Sequence, residues 1–535
     1  MANNFFRTKS VERILQESES GTHQLKRTLG LWSLIAIGIG CIIGTGIFVL
    51  TGKVAIENSG PGIMISFVIC GVACILAALC YAEFASFIPI AGSAYTYSYA
   101  TMGELVAWII GWDLILEYGL STSAVASGWS SHFVNFIDLI SAHSLKVPET
   151  WALTPFEPTF AKDAAGNILK DAAGHATTIG HGIMNLPAMF ISIAITLLLI
   201  LGIKESARFN NIIVIIKTSV ALFFIGVGII FINPENWHPF VPAFIPDGTV
   251  NTVNANSTPL WQWLIHLFGG TVQTGFGGWS GIFMGAAVIF FAYIGFDAVS
   301  TTSEEAKNPK RDVPRAIIWS LLICTILYIL MSAVFTGIVK CDGTLKFDEL
   351  GTFKGAPLAY AFSKVDASWV NKIALFLVEI GGLCGITSVL LVTLLGQSRV
   401  FYSMSKDKLL PEWIAQIHPK FQTPWIGTAI TGGVVSLVAG FVPLDTIAEM
   451  ANIGTLFAFV LVSAGIIYLR KNQPERIASF RTPFVPFVPV LAILFCFALM
   501  LSLPAMTWVR FFVWMAIGMV IYIFYGAKNS RLNDK

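Results

Sequence analysis

Residues 38–48 read Gly38-Ile-Gly40-Cys-Ile-Ile-Gly44-Thr45-Gly46-Ile-Phe48, which places four glycines within nine residues of an apolar stretch. Glycine is unfavourable in the middle of a helix because it loses the most backbone freedom there, so this run favours an interrupted helix. The surrounding stretch 31–52 has no charged residue and is long enough to cross the hydrocarbon core of a membrane. The sequence therefore predicts a membrane-spanning helix that is broken in its middle.

Similar apolar stretches recur along the whole chain. Of its 535 residues, 55% are hydrophobic and 12% are charged, far less charge than a soluble domain carries. We count twelve stretches of about 18 or more residues that are nearly free of charge. They are 31–52, 60–82, 104–137, 184–203, 211–232, 282–303, 316–340, 371–404, 425–441, 445–469, 484–504 and 506–527. This pattern predicts an all-α polytopic membrane protein and excludes a disordered chain, a disulfide scaffold and a nucleic-acid-binding domain.

The distribution of positive charge predicts the orientation of the chain. If the N-terminus is cytoplasmic, the twelve spans place 22 Lys and Arg residues on the inside and ten on the outside, with Lys217 within a span. An excess of Lys and Arg on the cytoplasmic side is typical of membrane proteins. We therefore expect a multi-pass plasma-membrane protein (inner membrane in a Gram-negative cell) with both termini in the cytoplasm.

A second irregular span reads Phe290-Phe-Ala-Tyr-Ile-Gly-Phe-Asp297. At helical rise, both irregular segments lie about 14–22 Å from the membrane face where their spans begin, near the middle of the bilayer. They open two successive groups of five spans. Interrupted spans at matching positions indicate a transporter made of inverted repeats, although each glycine run alone is equally consistent with close helix packing.

The predicted organisation has six parts: a cytoplasmic N-terminal segment, a first repeat containing an external loop at 138–183, a second external loop, a second repeat, two peripheral helices and a cytoplasmic tail. Their bounds are 1–30, 31–232, 233–281, 282–470, 471–527 and 528–535.

With Ser303-Glu-Glu-x-x-Asn308-Pro309, the two irregular segments resemble the amino acid–polyamine–organocation superfamily. The resemblance is greatest to its cationic amino acid transporter branch, and within it to bacterial amino acid permeases. It implies a LeuT-type fold, with two inverted five-helix repeats and two peripheral helices, and an amino acid bound between the broken parts of helices 1 and 6. No cofactor is expected, and no Cys or His spacing matches a metal site.

The resemblance also implies which residues bind the amino acid. The substrate carboxylate would accept hydrogen bonds from backbone N–H groups at a half-helix N-terminus, and backbone carbonyls would bind the ammonium. A zwitterion enters a low-dielectric site only if fixed dipoles meet both of its charges. The implied carboxylate residues are Gly44, Thr45 and Gly46, and the implied ammonium residues are Ile42, Phe291, Ala292 and Ile294.

Six ionisable residues lie within or at the edges of the apolar spans, and such groups are functional candidates by default. They are Asp113, Glu117, Lys217, Asp297, Glu379 and Glu449. Lys217 lies about 9 Å into its span, and a buried lysine can gain and lose a proton during a cycle. The alternative is a lysine whose ammonium reaches the cytoplasmic headgroups.

The resemblance implies that Lys217 takes the place of the cation that sodium-coupled relatives bind. Its ammonium would then lie near the carbonyl of Gly40 and the hydroxyl of Thr387 or Ser388. Asp113 and Glu117 are four residues apart and share a helix face, so either could be its counter-ion. Family position favours Glu117, and Lys217 and Glu117 are the predicted proton-coupling pair.

The main functional prediction is a secondary active importer that couples a small neutral L-amino acid, such as alanine, to protons by alternating access. Its expected partners are the amino acid, the proton and the lipid bilayer. The alternatives are a carrier of arginine or lysine, an amino-acid exchanger and a sodium-coupled carrier. A membrane-embedded enzyme would need a nucleophile–base pair or a metal cluster, and a channel would need a repeated pore loop or charged ring. The sequence shows neither.

Overall fold

The structure is a computed structural model that is described here over most of the chain. The described residues are 7–9, 29–88, 93–141, 144–161, 169, 177–246, 254–301, 303, 306–347, 350, 356–365, 368–473 and 478–533. Most of the predicted N-terminal segment 1–30, and Glu304 and Glu305 of the Ser303–Pro309 motif, lie outside these residues.

Helices dominate the described residues. The α-helices are α1 (Leu31–Ile42), α2 (Thr51–Val54), α3 (Ile63–Phe87), α4 (Ser93–Thr101), α5 (Glu104–Ile140), α6 (Leu186–Leu201), α7 (Ile203–Gly228), α8 (Leu260–Leu267), α9 (Gly278–Ile289), α10 (Ala298–Thr301), α11 (Pro309–Ile338), α12 (Pro357–Ser363), α13 (Ser368–Lys406), α14 (Trp425–Phe441), α15 (Leu444–Asn472), α16 (Phe487–Leu501), α17 (Ala505–Ile521) and α18 (Ala527–Asn529). Short π-helical segments are Gly46–Leu50, Ala55–Ser59 and Tyr522–Gly526. Short 3₁₀ segments are Gly60–Gly62, Glu149–Trp151, Ile229–Phe231, Pro234–Trp237, Phe290–Tyr293, Glu412–Ala415 and Arg531–Asn533.

Two small antiparallel strand pairs lie in the long connections between helices. The first joins β1 (Pro158–Phe160) to β2 (Thr178–His181), and the second joins β3 (Ile245–Pro246) to β4 (Gly275–Phe276). Both pairs fall within the segments predicted to be long loops, 138–183 and 233–281.

The length and composition of the helices fit a membrane. Within the described residues, eight helical stretches are long and apolar enough to cross a bilayer. They are Gly46–Phe87, Glu104–Ile140, Ile212–Phe231, Gly278–Thr301, Pro309–Ile338, Ile373–Lys406, Leu444–Asn472 and Ala505–Asn533. Four shorter apolar helices are α1, α6, α14 and α16. The predicted class, a helical polytopic membrane protein, is confirmed.

The first predicted span is broken where its glycines cluster. Helix α1 ends at Ile42, Ile43 is extended at φ −73° and ψ 104°, and a π-helical turn resumes at Gly46. The helical path then runs on through α2 to Ser59, beyond the predicted end at residue 52. The sequence prediction was short at this end because Lys53 and Glu57 lower the apolar character of the final turns.

The second irregular span is also broken. Helix α9 ends at Ile289, a 3₁₀ turn covers Phe290–Tyr293, and Ile294 is extended at ψ 135°. Gly295 follows with φ +110°, a conformation that side chains on L-residues resist, and so this position needs glycine. The chain becomes helical again at Ala298.

The two breaks lie together inside the helix bundle. Helix α11 packs against α1 and α3, α5 packs against α13 and α15, and α7 packs against α13 and α1. Both ends of the described chain lie on one face of this bundle, because Arg7 donates hydrogen bonds to the Leu532 carbonyl and the Asn533 side chain.

Some helices extend beyond the predicted spans or lie outside them. Helix α11 begins at Pro309, seven residues before the predicted start, because its first turns are charged. Helices α4, α8 and α12 were not predicted, since counting charge-free residues finds only helices long enough to span a membrane.

Candidate functional site

A small cavity lies between the two broken helices, at the centre of the bundle. Its walls come from both breaks and from the middles of α5 and α13. The lining residues are Cys41, Ile42, Gly44, Thr45, Gly46, Ser121, Val125, Phe291, Ile294, Val389 and Thr393. The structure thus brings together six of the seven residues predicted to bind substrate. Ala292, the seventh, packs directly behind the cavity wall.

The first break offers hydrogen-bond donors to this cavity. The N–H groups of Gly44 and Thr45 have no hydrogen-bond partner among the described residues. Such orphan N–H groups are expected in the first turn of a helix, and the helix dipole adds positive potential there. The next turn begins with Ile47 and Phe48, whose N–H groups both donate to the Gly44 carbonyl. This end of the cavity suits a negatively charged group.

Gly46 is the point at which the two breaks pack closely against each other. A Cβ atom built on Gly46 would lie 2.3 Å from Cα of Ala292 and 2.5 Å from its Cβ. The glycine is therefore needed for close approach of two backbones. Gly46 is not among the glycines with positive φ, so backbone conformation is not the reason.

The carbonyls of both breaks are joined by a side chain that the sequence analysis did not consider. The Tyr328 hydroxyl on α11 lies 2.8 Å from the carbonyl oxygen of Ile42 and 2.9 Å from that of Ala292. Each carbonyl oxygen has a second lone pair, so both remain able to accept from an ammonium group. The Phe291 carbonyl accepts from the Ile294 N–H at 3.3 Å.

Lys217 on α7 is fully buried and points at the C-terminal end of α1. Its ammonium donates to the carbonyl of Gly40, to the carbonyl of Ile43 at 2.8 Å and to the hydroxyl of Ser388 at 2.6 Å. The last carbonyls of a helix lack partners within the helix and attract a cation. Of the two hydroxyls considered in the sequence, Ser388 makes this contact. Thr387 instead accepts from Trp129 Nε1 at 3.0 Å.

The structure does not pair Lys217 with the predicted counter-ion. Within the described part of the chain, Lys217 has no ion pair with Glu117, Asp113 or any other carboxylate. The reason is that carbonyl dipoles and a hydroxyl already surround the ammonium, which removes the need for a formal negative charge. The spacing of four residues predicts that Asp113 and Glu117 share a helix face. It does not predict which neighbouring helix that face contacts.

Glu117 lies instead in a separate group of buried carboxyls. Asp113, Glu117 and Asp297 are all fully buried, and Asp297 follows the second break. Asp297 accepts a 2.5 Å hydrogen bond from the Tyr118 hydroxyl. The carboxylate oxygens of Asp113 have no hydrogen-bond partner among the described residues.

The two remaining charged candidates are paired away from the cavity. Glu379 lies 2.7 Å from Nδ1 of His132, and Glu449 accepts from the Thr507 hydroxyl at 2.8 Å. The part of the chain that the structure describes contains no group of three His, Cys, Asp or Glu side chains that could share a metal ion.

Comparison with known proteins places this chain in a family. The family model described as amino acid permease matches residues 29–524. The chain belongs to the amino acid permease family, within the amino acid–polyamine–organocation superfamily.

It is 44% identical over 534 residues to the branched-chain amino acid permease BcaP of Bacillus subtilis (strain 168), with 100% of each chain covered. It is 42% identical over 528 residues to the methylthioribose transporter of the same organism, with 99% of each chain covered. It is 30% identical over 647 residues to the vacuolar cationic amino acid transporter 4 of Arabidopsis thaliana, covering 99% of this chain and 97% of that one.

Family membership identifies the chain as a multi-pass membrane transporter rather than an enzyme. For this amino acid permease, the sequence indicated the two breaks but missed the walls supplied by α5 and α13. The missed residues of these walls are Ser121, Val125, Val389 and Thr393, and Cys41 on α1 and Tyr328 on α11 were missed as well. Glycine runs mark where a backbone opens, whereas the missed residues are ordinary helix residues whose packing partners depend on the tertiary fold.

Proposed function

We propose that the protein imports a small neutral L-amino acid across the plasma membrane, driven by protons, by alternating access. In this proposal twelve spans form two inverted five-helix repeats and two peripheral helices, and both termini are cytoplasmic. The parts are those given above: 1–30, 31–232, 233–281, 282–470, 471–527 and 528–535. The observation that carries the proposal is the cavity between two broken helices, with free N–H groups on one side and carbonyls on the other.

The cavity fits the two charges of an amino acid. The N–H groups of Gly44, Thr45 and Gly46 would donate to the carboxylate, since a half-helix N-terminus favours an anion. The carbonyls of Ile42, Phe291, Ala292 and Ile294 would accept from the ammonium. Backbone groups contact every amino acid in the same way, so they can bind the common part of the substrate whatever its side chain is.

The walls favour a neutral side chain. Val125, Phe291, Ile294 and Val389 are apolar, and no Asp, Glu, Lys or Arg is among the described lining residues. A cationic side chain in a low-dielectric cavity would need a carboxylate beside it. The relatives are named for branched-chain amino acids, methylthioribose and cationic amino acids, and the last of these fits the apolar wall least.

The position of Lys217 supports proton coupling over sodium coupling. Its ammonium already donates hydrogen bonds to oxygen atoms of Gly40, Ile43 and Ser388. A bound monovalent cation would need the same oxygen atoms as ligands. Loss of a proton from Lys217 would free these acceptors and loosen the contact between α7 and the first break. Glu117 would take part as a second protonatable group, because it is fully buried on α5 and is not among the groups that Lys217 contacts.

The experiment uses purified full-length protein in proteoliposomes. We expect labelled alanine to accumulate when the outside is acidified and no sodium is present, and we expect neutral amino acids to compete better than arginine or lysine. Accumulation that follows a sodium gradient, or uptake only when the vesicles contain a second amino acid, would show sodium coupling or exchange. Preferred competition by arginine would overturn the neutral assignment.

A further inference from the structure

Ser121 has a buried hydroxyl with no hydrogen-bond partner among the described residues. The residue is 2% exposed, lines the cavity between the breaks, and its Oγ makes no hydrogen bond with any described residue. Its neighbours on α5 behave differently. Thr122 and Ser123 each donate to the carbonyl four residues earlier, at 2.6 and 2.9 Å. Such back-bonding is the usual way in which a helix satisfies a buried hydroxyl.

The other hydroxyls of the cavity have partners or a role. Thr393 donates to the Val389 carbonyl at 2.8 Å, and its Oγ1 lies 2.9 Å from that of Thr122. Thr45 also has an unpartnered Oγ1, but it belongs to the turn that would bind the carboxylate. Ser121 is therefore the one described cavity hydroxyl that neither the protein nor the proposed backbone contacts account for.

An unsatisfied hydroxyl in a closed cavity is unfavourable, and most buried polar groups in proteins have a partner. The backbone of the two breaks accounts for the carboxylate and the ammonium of the substrate. The side chain of the substrate is the part left to contact Ser121. Val125, one turn further along α5, and Val389 place apolar surface in the same cavity.

We propose that Ser121 is a specificity-determining residue that forms a hydrogen bond with a hydroxyl on the substrate side chain. The preferred substrates are then threonine and serine, with the threonine methyl group against the apolar wall. This inference rests on the proposed amino-acid transport, and it names the side-chain class that the same cavity selects.

Threonine and valine provide the test, because they have nearly the same shape and differ by one hydroxyl. Each would be titrated against labelled alanine bound to the purified full-length protein. We expect wild type to bind threonine about tenfold more tightly than valine, and Ser121→Ala to reduce this ratio to about one. The matched control is Ser123→Ala, whose hydroxyl donates to the Gly119 carbonyl, and it should keep the wild-type ratio.

Two results would overturn the inference. The first is a threonine-to-valine ratio near one in wild type, which needs no variant and so does not depend on how a variant folds. The second is an unchanged ratio in Ser121→Ala with valine binding intact. In both cases amino-acid binding survives, and only the role of Ser121 is wrong. If labelled alanine does not bind to the wild-type protein, and no other amino acid does, the proposed function fails as well.

Discussion

The two breaks at the centre of the protein are similar in form but are held in different ways. At the first, between Ile42 and Gly46, a buried ammonium from Lys217 contacts the carbonyl end of the helix. At the second, around Phe290–Asp297, the fixing contacts are hydroxyl groups: Tyr328 on the Ala292 carbonyl and Tyr118 on Asp297. One break therefore depends on a buried ammonium, and the other depends on two tyrosine hydroxyls, one of which donates to a carboxyl group.

This difference assigns the breaks separate tasks. A proton on Lys217 changes the electrostatics of the first break, which also carries the free N–H groups at Gly44 and Thr45. The second break is joined to the first at Gly46 and through Tyr328, so a movement of one is passed to the other. We expect changes at Lys217 to affect coupling most, and changes at the shared contacts to affect substrate binding.

The largest effect is expected for Lys217→Ala. The substitution removes the ammonium and leaves the carbonyls of Gly40 and Ile43 without their donor, so the proton has no group to bind at the first break. Proton-driven accumulation in proteoliposomes should fall to the level of equilibration, with inside and outside concentrations equal. Lys340→Ala is the matched control, because the Lys340 side chain is 65% exposed and pairs only at the surface with Asp342. Accumulation by Lys217→Ala equal to that of wild type would mean that the charge at the first break has no part in coupling.

The next largest effect is expected for Gly46→Ala, which tests the contact between the breaks. The new methyl group would lie 2.3 Å from Cα of Ala292, so one backbone must move. Two charge-assisted hydrogen bonds to the carboxylate, each worth about 1.5–3 kcal/mol, would be lost or lengthened. Affinity for the substrate should fall about a hundredfold or more, and Gly46→Val should lower it further.

The control for this substitution is Gly119→Ala on α5, because nothing lies within 4 Å of a Cβ at that position. Binding isotherms would be measured together with size-exclusion profiles of both variants. A monodisperse Gly46→Ala protein with wild-type affinity would show that the carboxylate binds elsewhere.

A smaller effect is expected for Tyr328→Phe, which removes the hydroxyl that bridges the carbonyls of Ile42 and Ala292. Without it the two ammonium acceptors are less well positioned, and affinity should fall about tenfold. Tyr95→Phe is the control, because it removes a similarly buried hydroxyl that donates to the Asp407 carboxylate at 2.9 Å and belongs to neither break. If both variants lose stability and affinity alike, the bridge has no specific role in binding.

The smallest effect on transport is expected from inserted topology reporters. They test whether the two broken spans begin on opposite faces of the membrane. A reporter placed after Asn308 should be cytoplasmic, and one inserted near residue 166 should be external, with uptake retained in both fusions. The opposite readings would contradict the inverted-repeat arrangement, since the first and sixth spans would no longer start on opposite sides.

The positions of the two breaks and of Lys217 could be predicted from the sequence, whereas the partner of Glu117 could not. The glycines at 38–46 and the Phe290–Asp297 segment indicated both breaks, although for different reasons: Gly46 allows Ala292 to approach closely, and Gly295 adopts a positive φ. Lys217 and its contact with Gly40 were also anticipated, through family position. The structure does not bring Glu117 to Lys217, because the spacing of residues along one helix does not determine which neighbouring helix they face.

The residues that form the side walls of the cavity could not be predicted from sequence patterns. Ser121 and Thr393 look like any hydroxyl in an apolar helix, and only the packing of α5 against α13 brings them to the breaks. Tyr328 is similar, since nothing in the sequence of α11 distinguishes a bridging tyrosine from one that packs in the core.

The central claim, that the two breaks bind the opposite charges of one amino acid, is tested most directly by removing those charges from the ligand. Binding of alanine, ethylamine and propionate to the purified wild-type protein would be measured under the same conditions. Ethylamine lacks the carboxylate and propionate lacks the ammonium, while both keep the short apolar chain. The account predicts that alanine binds and that each analogue binds at least a hundredfold more weakly. Ethylamine or propionate binding as tightly as alanine would contradict it, because one of the two breaks would then contribute nothing to recognition.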